Sequence, residues 1–319
     1  MTEMVQMSSP PTVSAVIATF NRIGELRIAL DRLRRQTHPP AEILVVDDGS
    51  TDGTDAMVRT EFPEVRYVRL PHNAGLIHAR NFGFVNTKGD YVLSVDDDSW
   101  FVADDGLARA VAFLEAHADV AAVACNITTR DGLVYLPRGA PPFEVPWYVG
   151  CGHLLRRRAV AEVGLYVAEF YRQGEEKDRC LRLLGAGHRV MALPDVMVYH
   201  DKSERNRKPG MERFYNHRND LIREVARCPA RLLPWRFLRT WAGNSWKNLR
   251  HGPRLTDWKV LLALPEIVRI GWRHRRPVDE PAYRRWLHLA ATAAPGQIGA
   301  RPPFPTASGD CPVRSHPRG

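Results

Sequence analysis

Three consecutive carboxylates, Asp96-Asp97-Asp98, follow directly after an apolar stretch that begins at Tyr91. Adjacent negative charges repel one another, and burying one without a partner costs several kcal/mol or forces it to take up a proton. A bound cation removes this cost, and a ligand set made of oxygens suits a hard divalent ion such as Mg²⁺ or Mn²⁺. The alternative interpretation is an acidic turn in contact with solvent.

A second acidic pair, Asp47-Asp48, follows another apolar stretch at residues 41–46. The carboxyl ends of parallel strands share one edge of a sheet, and open α/β proteins bind their ligands at that edge. Asp48 is suited to accept hydrogen bonds from a nucleobase or a ribose, or alternatively to cap the turn at residues 49–51. Arg80 precedes the triplet on a predicted helix and is suited to pair with a phosphate or with one of these carboxylates.

The elements that would position these groups alternate along the first two thirds of the chain. Buried strands are predicted at residues 12–19, 41–46, 65–70, 91–95, 120–126, 148–155, 188–193 and 196–200. Helices are predicted at residues 22–36, 76–86, 104–117, 157–163 and 175–184. This alternation predicts an α/β fold in which helices flank a mostly parallel, Rossmann-like sheet.

Charge is unevenly distributed along the 319 residues, which carry a net charge of +9. Residues 201–319 contain 24 Lys and Arg against 10 Asp and Glu, so we expect an anionic partner for this part, either nucleic acid or a membrane surface. Within it, Trp235, Leu238, Trp241 and Leu249 fall near one face of a predicted basic helix. Such a helix is typical of an interfacial membrane element, or of an extension whose tryptophans pack on the main domain.

Several classes of enzyme lack their usual motifs. The chain contains no G-x-G-x-x-G after the first strand, no G-x-x-x-x-G-K-[ST], no H-E-x-x-H and no G-x-S-x-G. Its five cysteines are scattered and lack C-x-x-C spacing, which indicates reduced thiols and argues against a zinc site. Without a signal peptide or a span of ~20 apolar residues, we expect a cytoplasmic protein, with peripheral attachment at the inner face of the membrane as a candidate arrangement.

An ordered set of motifs resembles glycosyltransferase family 2 over residues 12–220. The motifs are VIATFNR at 16–22, VVDDGSTD at 45–52, NAGLIHARN at 73–81, GDYVLSVDDD at 89–98, GCGHLLRR at 150–157, GEEKDRCLR at 174–182, VYH at 198–200 and FYNHRN at 214–219. The resemblance implies a GT-A fold and a sugar transfer that inverts the anomeric configuration. The implied donor is a nucleotide-diphosphate sugar, UDP- or dTDP-linked, and the acceptor is a glycan, a lipid-linked precursor or a small molecule.

The resemblance also implies roles for individual residues. Asp98 and His200 would bind the metal ion, Mn²⁺ or Mg²⁺. The donor-binding positions would be Ala18, Thr19, Asp48, Asn73, Arg80 and Asp96. The catalytic base would be Glu176, where the family usually has Asp, with Glu175 and Asp178 as alternatives.

The expected organisation follows from the motifs and the composition. We expect a disordered tail at residues 1–11 and a GT-A domain at 12–225, divided into a nucleotide-binding half (12–100) and an acceptor half (101–225). A basic, Trp-rich helical extension (226–290) and a second disordered tail (291–319) would follow. Two rival functions remain, a sugar-phosphate nucleotidyltransferase and a basic nucleic-acid-binding or scaffold protein. A glycosyltransferase is favoured over both, and no nucleic acid partner is expected for it.

Overall fold

The computed structural model describes residues 10–202, 211–251 and 255–292. The tails expected at residues 1–11 and 291–319 lie almost wholly outside these ranges. Within them the chain forms a single sheet with helices packed on both of its faces, and five helices follow the last strand.

The sheet contains nine strands in the described part of the chain. They are β1 (Val13–Thr19), β2 (Glu42–Asp47), β3 (Arg66–Arg69), β4 (Tyr91–Asp96), β5 (Ser99–Phe101), β6 (Val120–Thr129), β7 (Phe143–Glu144), β8 (Gly152–Arg156) and β9 (Arg189–His200). Their order is β3-β2-β1-β4-β8-β6-β9-β5, and β7 pairs with β9. The first four strands in this order are parallel, whereas β8 runs antiparallel between β4 and β6. The predicted α/β fold is therefore confirmed, with a mixed second half.

Eleven α-helices are present in the described residues. They are α1 (Ile23–Arg34), α2 (Thr54–Glu61), α3 (Leu76–Val85), α4 (Gly106–Ala116), α5 (Arg157–Val163), α6 (Glu175–Gly185), α7 (Met211–Arg227), α8 (Leu233–His251), α9 (Leu255–Leu262), α10 (Leu264–Arg273) and α11 (Glu280–Thr292). A single 3₁₀ turn at Ala168–Phe170 precedes α6. Neither α2 nor β5 was expected from the sequence.

The central strand β1 shows why runs of apolar residues in the sequence predict the strands of this fold. All seven of its residues are buried. Successive side chains of a strand point to opposite faces, so a strand between two helical layers is mostly apolar. Val13 and Ile17 join the cluster that contains Leu26 and Leu30 of α1. Val16 joins a second cluster, with Cys180 and Leu183 of α6. The core is thus two apolar layers separated by the sheet.

The last strand of the sheet, β9, is continuous where the sequence predicts two strands. The strands expected at 188–193 and 196–200 form the single strand β9, whose register on β6 shifts between Cys125 and Asn126. Pro194 lies at this irregularity and has no N–H to donate to the sheet. The Asn126 side chain donates instead to the Pro194 carbonyl at 2.8 Å, which keeps the strand in place across the break.

The C-terminal helices dock on the α/β domain through α7, which is buried from His217 to Arg227 and runs uninterrupted past residue 225. Arg227 donates to Asp178 on α6 at 2.7 Å. The last helix, α11, returns to the domain, where the Trp286 indole donates to the Pro146 carbonyl at 3.1 Å. These buried contacts make the helical extension part of the folded core.

The packing of α10 on α7 predicts opposite effects for two glycine substitutions. A Cβ added at Gly271 would lie 2.5 Å from Val225 Cβ and 3.3 Å from the Ile222 carbonyl, so Gly271→Ala forces the two helices apart. We expect it to lower the free energy of unfolding by roughly 1–2 kcal/mol, measured by chemical denaturation. Gly243→Ala on α8 is the matched control, since no atom lies within 4 Å of its added Cβ. It should stabilise the helix by about 0.5–1 kcal/mol. Equal effects of the two substitutions would contradict this packing.

Candidate active site

The two acidic groups lie at one edge of the sheet, as the strand order requires. Ala18, near the end of β1, is in register with Val46 on one side and with Asp96 on the other. The backbone N–H of Asp48 donates to the Thr19 carbonyl at 2.9 Å. Residues from the ends of β1, β2 and β4 are therefore neighbours at the carboxyl edge.

A cluster able to hold a metal ion is formed by Asp96, Asp98 and His200, whose candidate ligand atoms all lie within 4.8 Å of one another. His200 reaches the cluster because β5 and β9 pair antiparallel, with Ser99 opposite His200. Its Nε2 atom is 3.3 Å from Asp98 Oδ1. Two carboxylates and an imidazole are ligands that Mn²⁺ accepts, and Asp98, only 1% exposed, is the kind of buried carboxylate that a cation stabilises.

The surroundings of this cluster shift the pKa values of His200 and of the neighbouring Asp97. Burial lowers the pKa of His200, but Cys151 and the Asp98 carboxylate more than offset it and raise the pKa to about 11. Burial raises the pKa of Asp97 to about 7 against the opposing effect of Arg22. Asp97 accepts hydrogen bonds from the Thr19 hydroxyl and from Arg22, both at 2.9 Å, and so lies behind the cluster.

Arg22 is a site residue to which the sequence reasoning gave no role. Its guanidinium donates to Asp98 Oδ2 at 2.7 Å and to Asp97 Oδ1 at 2.9 Å. It therefore compensates part of the charge of the triplet. The available signal was an arginine directly after the Asn21 turn at the end of β1, a position that faces the carboxyl edge of the sheet.

The Asp48 carboxylate holds the loop that leads into α3. Its two oxygens accept hydrogen bonds from the backbone N–H groups of Ala74, at 2.6 Å, and Gly75, at 2.9 Å. Asn73 precedes them on the same loop and is exposed. Asp48 and Asn73, both expected to bind the donor, thus belong to one structural unit beside the end of β2.

Capping of the turn after β2 belongs to Asp47 rather than Asp48. Asp47 Oδ1 accepts hydrogen bonds from the backbone N–H groups of Gly49, at 3.1 Å, and Ser50, at 2.8 Å. Tyr67 donates its hydroxyl to the other oxygen. The alternative role considered for Asp48 is therefore filled by its neighbour.

Arg80 pairs with carboxylates. Its side chain is buried, and it donates to Asp96 Oδ1 at 2.5 Å, to Glu175 Oε1 at 3.1 Å and to the Gly150 carbonyl at 3.0 Å. Burial alone lowers the pKa of the guanidinium, but the charges of Asp96 and Glu175 raise it above its ordinary value. Arg80 therefore joins the candidate metal-binding cluster to the acidic start of α6.

The three acids at the start of α6 have different environments. Glu175 is 2% exposed and faces Arg80, whereas the side chain of Glu176 is 18% exposed. Burial, together with the charge of Glu175, raises the pKa of Glu176 to about 8. Burial also raises the pKa of Glu175. Of these two acids, Glu176 has the greater access to solvent, and its pKa is suited to a general base near neutral pH.

Asp178 is fully engaged in a structural role. Its carboxylate accepts from Arg182 at 2.9 Å and from Arg227 at 2.7 Å, and the side chain is 1% exposed. Although burial raises its pKa, Arg182 and Arg227 outweigh burial and lower it. This position anchors α6 to α7 and gives Asp178 no access to a substrate.

Two further residues fix Glu176, and the sequence reasoning assigned neither of them a role. A Cβ on Gly150 would collide with Glu176 Oε1, so only glycine allows this close approach. Asn219 on α7 donates its side-chain amide to the carbonyls of Phe170 at 3.0 Å, Arg172 at 2.8 Å and Gln173 at 2.7 Å.

The turn that Asn219 holds leads directly into Glu175 and Glu176. Tyr171 and Gln173 have φ angles of 63° and 67°, and Gly174 has a φ of 85°. Positive φ in a non-glycine residue costs about 1–3 kcal/mol, so this turn persists only where other contacts impose it. Asn219 supplies those contacts and so positions the start of α6.

Comparison with known proteins shows that part of the sequence is similar to glycosyltransferases. Residues 14–164 match the family model described as Glycosyl transferase family 2. Glycosyltransferase GlyA of Streptococcus pneumoniae is 37% identical over 112 residues, which are 34% of this chain and 16% of that protein. YwdF of Bacillus subtilis, described as an uncharacterized glycosyltransferase, is 36% identical over 91 residues, 28% of this chain and 33% of that protein. The chain thus spans a third or less of the length of these curated relatives.

Solved structures show the same fold at lower identity. The mannosyltransferase PcManGT from Pyrobaculum calidifontis, in complex with GDP-Man and Mn²⁺, has a TM-score of 0.54 and 19% identity, with 90% of this chain and 87% of that chain covered. TarS 1-349 of S. aureus, in complex with UDP-GlcNAc, has a TM-score of 0.60 and 18% identity, with 88% and 87% covered. The fold is therefore GT-A. Over residues 14–164, the chain is similar to glycosyl transferase family 2.

Proposed function

We propose that the protein is a metal-dependent, inverting glycosyltransferase, which moves a sugar from a nucleotide-diphosphate sugar to an acceptor hydroxyl. One observation carries the proposal. The candidate metal ligands Asp96, Asp98 and His200 share the carboxyl edge of the sheet, and Arg80 joins that edge to Glu176. The match of residues 14–164 to the family model supports the same reaction class.

The proposed donor site lies within residues 12–100. Asp48 and the loop at 73–75 would contact the nucleobase and ribose, with Ala18 and Thr19 beside them. The donor is proposed to be a UDP- or dTDP-sugar. Relatives of the same fold were solved with UDP-GlcNAc, and with GDP-Man and Mn²⁺, which supports a nucleotide sugar as the ligand class.

The acidic edge repels a diphosphate, so a cation is needed for the donor to approach it. Asp98 and His200 would hold Mn²⁺ or Mg²⁺, with Asp96 toward the donor. A divalent ion bound there would supply Lewis-acid stabilisation of the charge that develops on the diphosphate leaving group.

The proposed base is Glu176. A sugar hydroxyl is a weak nucleophile at neutral pH, so a carboxylate within hydrogen-bond reach must take its proton as the new bond to the anomeric carbon forms. Glu175 remains the alternative base, although it is more deeply buried and bonded to Arg80. With the acceptor on the side opposite to the leaving group, a single displacement inverts the anomeric configuration. The acceptor is proposed to be a glycan, a lipid-linked precursor or a small molecule bound by residues 101–225.

A thermal-shift panel of nucleotide-diphosphate sugars with Mn²⁺ or Mg²⁺ tests the donor and metal assignments. Ligands that bind the native state stabilise it, by about 2.7 kcal/mol at a hundredfold excess over Kd, which raises the melting temperature by several degrees. We expect such a shift with at least one nucleotide sugar, dependent on the metal and lost in Asp98→Ala. Asp104→Ala, at an exposed acid, is the control and should keep the shift. A shift that survives both metal removal and Asp98→Ala would contradict the assignment.

Replacement of Glu176 tests the base. Glu176→Gln should lower kcat by about 10²–10⁴-fold with donor binding unchanged, whereas Glu176→Asp, which restores the usual family residue, should retain part of the activity. Because burial and Glu175 raise the pKa of Glu176 to about 8, the free enzyme gains the deprotonated base as the pH rises. The wild-type kcat/KM should therefore increase with pH through the neutral range. Full turnover in Glu176→Gln would move the role to Glu175.

A further inference from the structure

The outer face of α8 is apolar and exposed. Trp235, Leu238, Trp246 and Leu249 are 66%, 64%, 56% and 49% exposed. Their spacing places all four along one side of the helix. Large apolar side chains in a contiguous exposed patch mark an interaction surface, whereas single exposed ones do not.

The opposite face of α8 is the one that packs on the protein. Phe237 and Trp241 join the apolar cluster around α7. Thr240 donates to Glu224 at 3.0 Å, and Asn244 donates to Asp220 at 3.2 Å. The sequence prediction that grouped Trp241 with Trp235 was wrong, because ~100° of rotation per residue carries Trp241 to the buried side. The exposed face is therefore a second apolar face, additional to the one that anchors the helix.

Exposed apolar side chains also occur on the next two helices. Trp258 and Leu262 of α9 are 64% and 81% exposed, and Trp272 of α10 is 60% exposed. Both helices contact α7, on which α8 also packs. Four exposed tryptophans on three successive helices are more than the single exposed apolar residues of an ordinary protein surface.

The charge of α8 restricts what can cover this face. The helix contains no Asp or Glu, and its exposed Arg239 and Lys247 lie beside the apolar stripe. A second copy of the chain would bring two basic stripes together. Residues 293–319 contain three Arg against one Asp, so this segment does not complement the face either. The occupant is therefore anionic as well as apolar.

We infer that the outer face of α8, continued by α9 and α10, is a docking surface for an anionic lipid bilayer. Tryptophan side chains suit the headgroup region, where the ring is partly apolar and the indole N–H finds a partner. Arg239 and Lys247 would lie among anionic headgroups, while Leu238 and Leu249 would enter the acyl boundary. A nucleic acid would use the basic residues but offers nothing to exposed leucines.

The arrangement is that of a helix lying along a membrane. In the described ranges of the chain no helix is long and apolar enough to cross a bilayer. The inference does not depend on sugar transfer, because vesicle binding and donor binding are measured separately.

Co-sedimentation of the full chain with lipid vesicles tests the inference. We expect strong partitioning onto vesicles of phosphatidylcholine mixed with phosphatidylglycerol, and weak partitioning onto phosphatidylcholine alone. Each basic residue near an anionic surface contributes about 1 kcal/mol, so the double variant Arg239→Glu with Lys247→Glu should lower the partition coefficient at least about 30-fold. Trp235→Ala with Trp246→Ala should lower it at least about tenfold, and should reduce quenching of tryptophan fluorescence by brominated lipids.

A matched charge reversal on the α/β domain is the control. Lys88 and Arg158 are exposed there, and Lys88→Glu with Arg158→Glu should change partitioning by less than about threefold. All variants should keep the wild-type melting temperature and its shift with nucleotide sugar, which separates a failure of docking from a failure of the proposed reaction. Absence of vesicle binding, or binding that the α8 variants leave unchanged, would overturn the inference. So would α8 variants that abolish only a dimer or RNA binding.

Discussion

The buried guanidinium of Arg80 connects the two acidic groups on which the candidate site depends. It donates to Asp96 at the end of β4 and to Glu175 at the start of α6, with a third hydrogen bond to the Gly150 carbonyl. Carboxylates this close would repel one another strongly in a poorly solvated interior, and loss of one partner of a buried pair is far more costly than loss of an exposed pair. Arg80 thus allows the candidate metal-binding cluster and the proposed base to share one site.

The position of Arg80 also explains how distant parts of the chain become one site. Asp96 ends the fourth parallel strand, whereas Glu176 begins a helix that is reached only after the antiparallel part of the sheet. Gly150 removes the side chain that would block the approach of Glu176, and Asn219 imposes the positive-φ turn that precedes it. The helical extension therefore contributes to the candidate site indirectly, through Asn219 of α7.

Much of this arrangement is predictable from the sequence, since β1, β2 and β4 are predominantly apolar and each ends near a carboxylate. A run of mostly apolar residues predicts such strands, because burial on both faces leaves few polar positions. The different roles of Asp47, which caps the turn, and Asp48, which holds the loop before α3, are not predictable in this way. Both residues lie at the end of the same strand, and only the path of the following loops decides which one caps the turn. Arg22 and Asn219 act through contacts between residues far apart in sequence, and local patterns carry no information about those distances.

Arg80 compensates the negative charge buried between β4 and α6, and the pH dependence of the stability of Arg80→Met tests this claim most directly. Without the guanidinium, burial raises the pKa of the Glu175 carboxyl further, so the folded state binds more protons than the unfolded state and stability rises as the pH falls. Chemical denaturation should show a loss of about 3–5 kcal/mol relative to wild type near pH 8, shrinking toward about pH 5. A deficit that is small, or that stays constant over this range, would contradict the claim.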